Sequence, residues 1–125
     1  MEIHKSAEDY LESILVLKER LGLVRSIDIV RELDYSKPSV SIAMKRLREN
    51  GYIEMDADGY ITLLPPGEEV ARRIYTRHRL LTDFLVSIGV TPETADHDAC
   101  KIEHDLSDET FACIKAFAES RCNQQ

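Results

Sequence analysis

Tryptophan is absent from the 125 residues, and aromatic side chains supply only 6% of them. Any core must therefore be built mainly from aliphatic residues, which the 43% hydrophobic content allows. No apolar run approaches the roughly 20 residues that a membrane-spanning helix needs, and no signal-peptide pattern opens the chain. The three cysteines, Cys100, Cys113 and Cys122, are odd in number and form no CxxC pair. They read as reduced thiols, so a cytoplasmic protein is expected, with no membrane partner and no organic cofactor. Internal repeats, low-complexity tracts and long disordered linkers are also missing. Basic residues are outnumbered, and the net charge of −7 argues on its face against a nucleic-acid partner. The length suits one ordinary domain, or two small modules sharing a core.

What is present reads in order as a series of capped helices. Ser6, with Glu8 and Asp9 behind it, resembles a helix start, and Tyr10, Leu11, Ile14, Leu15 and Leu17 give an apolar stripe ended by Gly22. Taken alone, Asp9 and Glu12 are capping and solvated charge on one face of that helix. A second helix, capped by Ser26, carries Ile27, Ile29, Val30 and Leu33. After the Asp34-Tyr35 turn, Ser36 caps a third helix with Pro38 just inside it, running through Val40, Ile42, Ala43, Met44 and Leu47 to Gly51. Residues 52–55 and 60–63 then alternate apolar and polar around Asp56-Ala57-Asp58-Gly59, which predicts a hairpin. Helix-turn-helix plus hairpin is a winged helix, expected over residues 1–64.

Charge is informative locally. From Arg31 to Arg48 the segment carries +3 within a chain of −7. Ser36, Lys37, Pro38, Ser39, Ser41, Lys45, Arg46 and Arg48 lie on or beside the third helix, where side chains of such motifs meet phosphates and base edges. These eight are the candidate DNA-binding residues.

Pro65-Pro66-Gly67 predicts a boundary, followed by a helix over residues 68–88 with Val70, Ile74, Leu81, Phe84, Leu85 and Ile88 on its buried side. Thr91 and Pro92 start another helix, carrying Asp96, Cys100, Glu103 and His104 at offsets that keep one face. A thiol, a carboxylate and an imidazole converging there suit a divalent transition metal; a surface Glu-His pair beside a core cysteine is the plainer alternative. Ser107-Asp108-Glu109 caps a last helix with Phe111, Ile114 and Phe117 on its apolar side, and residues 121–125 are expected to fray. Residues 65–125 thus form a helical module suited to homodimerisation, and the fold class is mainly α.

The pieces together resemble the metal-dependent repressors of the diphtheria-toxin-repressor and manganese-transport-regulator family. They are Ala7-Glu8-Asp9-Tyr10-Leu11-Glu12, Lys37-Pro38-Ser39-Val40-Ser41, residues 63–67, Arg77-His78-Arg79-Leu80-Leu81, Cys100-Lys101-Ile102-Glu103-His104 and Leu106-Ser107-Asp108. The resemblance implies the short form, without an SH3-like domain, and a metal set of Asp9, Glu12, His78, Cys100, Glu103 and His104. Cys100 departs from the manganese type, which has glutamate there, and matches the iron type; Asp9 departs from the iron type, which has methionine. Thr82 stands where relatives often carry glutamate, and Asp83 or Asp96 is available to compensate for a second metal.

The expected function is a metal-activated, DNA-binding repressor of divalent-metal homeostasis genes, not an enzyme. Fe(II) is slightly favoured over Mn(II), with Co(II) or Zn(II) accepted in vitro, because a thiolate prefers the softer ions. The expected partner is double-stranded palindromic operator DNA, bound by a homodimer with recognition helices about 34 Å apart. A metal-independent winged-helix regulator and, further off, a small metallohydrolase are the alternatives.

Overall fold

The computed structural model describes residues 5–122, with side chains through residue 120. Six helices and one hairpin follow one another: α1 (Lys5–Leu21), α2 (Ser26–Leu33), α3 (Lys37–Glu49), β1 (Ile53–Met55), β2 (Ile61–Leu63), α4 (Pro65–Ser87), α5 (Pro92–Ile102) and α6 (Asp108–Cys122). The chain divides into two compact units, Met1–Ile74 and Tyr75–Gln125, with the division inside α4.

In the first unit, α1 supplies the core with Leu11, Ile14 and Leu17, each at most 1% exposed. Lys5 is already helical, so Ser6 is not the N-cap expected of it. Gly22 ends α1 with φ +85°, and its N–H reaches the Lys18 carbonyl at 2.8 Å. Ser26 lies inside α2; the capping carboxylate belongs to Asp28, which accepts from the Arg25 N–H at 2.9 Å. Asp34 takes the left-handed conformation, φ 56°, that turns the chain between α2 and α3. Ser36 caps α3 as expected, accepting from the Ser39 N–H at 3.2 Å. The third helix buries Val40, Met44 and Leu47, whereas Ile42, grouped with them by hydrophobicity, is 55% exposed.

The strands pair antiparallel with Ile53 opposite Leu63. Asp56 shapes the turn, its Oδ1 accepting from the N–H groups of Asp58 and Tyr60, both at 2.9 Å. Pro65-Pro66-Gly67 does not precede α4 but forms its first turn, where proline lacks only a donor the helix does not use. Gly67 has a steric reason to be glycine. A Cβ there would lie 2.1 Å from the Tyr52 carbonyl oxygen, which already accepts from Leu64 at 2.9 Å.

In the second unit Leu81, Ala95 and Ala99 are at most 2% exposed. Ile88, expected to be buried, is 56% exposed, because α4 has ended at Ser87. Phe117 is also exposed, and its ring meets Phe84 edge to face at 6.3 Å between centroids. Helix α5 stops at Ile102, so Glu103 is its C-cap and His104 follows in a turn, rather than both lying within the helix. Ser107 caps α6, accepting from the Thr110 N–H at 3.1 Å. The end expected to fray starts inside α6, which runs to Cys122; residues 123–125 lie outside the described residues.

Candidate metal centre and nucleic-acid interface

Helix α4 places Arg77 and His78 side by side, and the end of α5 comes to them. Ala95 and Ala99, four residues apart, are both buried, so α5 packs closely along that line. Asp96 and Cys100, one residue further on in each case, then meet the His78 ring. His78 Nε2 lies 2.7 Å from Asp96 Oδ1, and Nδ1 lies 2.8 Å from Glu103 Oε2. Ligand atoms of His78, Cys100 and Glu103 all fall within 4.8 Å of one another.

With a carboxylate on each nitrogen, both nitrogens donate and the ring is an imidazolium. Its pKa is pushed up from 6.5 to about 11, first by the hydrogen bond with Cys100, then by Glu103 and Asp96, against the opposing effect of burial. The sign follows: this charge stabilises the metal-free unit below pH 6.5, and the contribution is lost as pH rises toward 11.

Glu103 carries the strongest chemical signal. Its side chain is fully buried, yet Oε1 has no hydrogen-bond partner. His104 Nε2 stands 3.4 Å away, close enough for Coulomb attraction but not arranged as a hydrogen bond. A buried polar atom left without a hydrogen bond costs roughly 1–3 kcal/mol in general, and more when it is charged. A divalent cation among imidazole, thiol and carboxylate ligands removes that cost, so the donor set fits such an ion.

Arg77, only 7% exposed, was not singled out by sequence. Its guanidinium donates to the carbonyls of Glu103 at 3.3 Å and Leu106 at 3.0 Å, pairs with Asp108, and lies 4.9 Å over the Phe111 ring. It thereby fastens the α5–α6 connection that carries Glu103 and His104. The signal was available: Arg77 occupies the phase of Ile74 and Leu81 on α4, where a charge is out of place unless it has work to do.

The other candidates take up varied positions. Thr82 turns its hydroxyl to the His78 carbonyl at 2.7 Å, so it does not replace a glutamate ligand, and Asp83 is exposed. Asp9 and Glu12 lie on α1 in the first unit, both half-buried. On α3, Lys37, Pro38, Ser39, Ser41, Lys45, Arg46 and Arg48 are all exposed, as is Ser36 at its N-cap. The Ser36 hydroxyl is engaged with Ser39 Oγ at 2.8 Å, which ties up two of the hydroxyls in the cap itself. Among the described residues no acidic side chain pairs with Lys37, Lys45, Arg46 or Arg48, so the positive face is uncompensated.

A winged helix with an uncompensated basic α3, followed by a helical unit with a metal-ready cluster, defines a metal-responsive DNA-binding regulator. Residues 2–61 match the family described as iron dependent repressor, N-terminal DNA binding domain. Residues 65–121 match iron dependent repressor, metal binding and dimerisation domain. The chain belongs to the iron-dependent repressor family.

The transcriptional regulator MntR of Salmonella typhimurium is 37% identical over 112 residues, spanning 90% of this chain and 71% of that protein. Among solved structures, a manganese-dependent transcriptional repressor in complex with manganese superposes with TM-score 0.81 at 30% identity, over 88% of this chain and 51% of that one. The manganese regulator SloR gives TM-score 0.80 at 28% identity, over 95% and 55%. The chain spans about half the length of these two solved structures. Among the described residues no helix is long and apolar enough to cross a membrane.

Proposed function

We propose that this chain is a metal-activated transcriptional repressor that binds palindromic operator DNA as a homodimer in the cytoplasm and controls genes of divalent-metal homeostasis. Residues 1–64 are its DNA-binding domain and residues 65–125 its metal-binding and dimerisation domain. The observation that carries this reading is the fully buried Glu103 carboxylate, whose Oε2 meets His78 in the cluster with Cys100 while Oε1 has no hydrogen bond and faces His104 at 3.4 Å. His78, Cys100, Glu103 and His104 hold the metal from the second unit. Asp9 and Glu12 are the further ligands on the grounds of sequence resemblance alone.

Each residue has a separable task. Glu103 supplies a carboxylate already stripped of water, and Arg77 holds its backbone in place. His78 gives up a proton to become a ligand: Nδ1, the nitrogen facing Glu103, would lose it, while the Nε2 proton stays hydrogen-bonded to Asp96 and orients the ring. Cys100 biases the site toward Fe(II) over Mn(II), because a thiolate is a soft donor. The bound cation supplies positive charge that lets several carboxylates share one site. Lys37, Lys45, Arg46 and Arg48 neutralise phosphates, while Ser36, Pro38, Ser39 and Ser41 lie at the end of α3 that approaches the bases.

Cobalt(II) titration tests the assignment. A thiolate-to-cobalt charge-transfer band is expected in the native chain and should vanish in Cys100→Ser, while Glu103→Ala should bind cobalt far more weakly. A band that survives in Cys100→Ser removes Cys100 from the site.

A further inference from the structure

The outward line of α3 holds an anomaly. Val40, Met44 and Leu47 fix the buried side of this helix. At 3.6 residues per turn the opposite side falls along Pro38, Ile42 and Lys45, with Ser39 and Arg46 beside it. Every one of these is exposed, and the middle one is a large aliphatic side chain with 55% of its surface open. Isolated surface aliphatics are common, but this one stands within the basic face of α3, whose cations have no acidic partner among the described residues. Ile42 offers one compact apolar knob between a hydroxyl, Ser39, and two cations, Lys45 and Arg46.

The charge around it selects the occupant. Lys37, Lys45, Arg46 and Arg48 would repel a basic partner and draw the face to phosphate. Once the cations are seated on the two backbones, the midpoint of the helix lies in the major groove. The apolar group that B-DNA presents there is the C5-methyl of thymine. Ile42 has no hydrogen-bonding group, so it reads a base only by burying such a methyl.

We infer that Ile42 is a specificity-determining residue that recognises a thymine in each operator half-site through the thymine C5-methyl group. This rests on the proposal that α3 is the DNA-reading helix, and the test separates the two.

The full chain, loaded with cobalt(II), is used to select operators from random duplexes. Each thymine of the selected site is then replaced in turn by deoxyuridine, which removes only the methyl. One thymine per half-site is expected whose replacement weakens binding about fourfold, the worth of one buried methyl-sized group, or about fifteenfold when both half-sites are changed. That loss should disappear in Ile42→Ala, which is a surface change to a better helix former and leaves the fold intact. Ile42→Gln should instead gain adenine at the same position, by bidentate contact with its N6 and N7. The inference is overturned if deoxyuridine weakens native protein and Ile42→Ala equally at every position, or if no thymine matters. Failure of the cobalt-loaded chain to bind any duplex overturns the DNA-reading role of α3 itself.

Discussion

The basic face of α3 and the cluster around His78 are both built from charge, but they work in opposite surroundings. On α3 the cations stand in water, unpaired among the described residues, each interacting weakly and open to screening by salt. Around His78 the inner charges are out of water, with Glu103 fully buried and His78 at 16% side-chain exposure, while Asp96 stands at the exposed edge. There, screening by salt is weak and protons or metal ions set the balance. One region should therefore answer to ionic strength and the other to pH and metal.

The largest expected effect lies on the α3 side. Four cations per protomer give eight phosphate contacts in a dimer, so operator affinity should fall by roughly 10³–10⁵ between 50 and 200 mM salt. Metal affinity measured across the same salts should change far less. Parallel curves for DNA and metal would break the contrast.

Packing gives the next effects. Gly67→Ala drives a Cβ into the Tyr52 carbonyl, a backbone atom that cannot step aside, and should destabilise the fold by about 1–3 kcal/mol in thermal unfolding. Arg77→Met leaves the Glu103 and Leu106 carbonyls without their donor and should cost about 1–3 kcal/mol, with weakened cobalt binding as well. Gly67→Ala should leave the cobalt affinity of the folded protein unchanged. If Arg77→Met also leaves it unchanged, Arg77 does not position Glu103.

The pH response is smaller but diagnostic. Because the His78 proton is held up to about 11 and must leave before the ring ligates, metal affinity should rise about tenfold per pH unit between pH 6 and 8 for each proton displaced. Calorimetry in buffers of different ionisation enthalpy counts those protons, and none released would contradict the imidazolium. The smallest change concerns choice of metal: Cys100→Glu should move the preference from Fe(II) toward Mn(II). Identical rankings for the two proteins would exclude Cys100 as a ligand.

How much of this was legible in the sequence follows the same division. The winged helix could be read because its signals are local: Ser36 and Pro38 at a helix start, Gly51 at an end, and a hairpin around Asp56–Gly59. The miss there was Ile42, because hydrophobicity alone cannot tell a core residue from an apolar group displayed for a partner. In the second unit the spacing of Cys100, Glu103 and His104 suggested convergence, but His78 and Asp9 entered only through the family resemblance. Arg77 shows a buried phase in the sequence, but its role was not legible there for a related reason. Its partners Glu103, Leu106 and Asp108 are 26 to 31 residues away, and two of its acceptors are backbone carbonyls. Pro65-Pro66-Gly67 placed the start of α4 three residues late, because the same residues that break a helix interior are favoured in a first turn.

In the proposed function one buried carboxylate, Glu103, links metal to DNA binding. The direct measurement is operator affinity at moderate salt, titrated with buffered free cobalt(II), for the native chain and for Glu103→Ala. The native chain should bind operator only as the metal loads and lose it on chelation, while Glu103→Ala remains folded and helical without metal-dependent binding. Equal operator affinity with and without chelator in the native chain, or an unchanged cobalt requirement in Glu103→Ala, would contradict it.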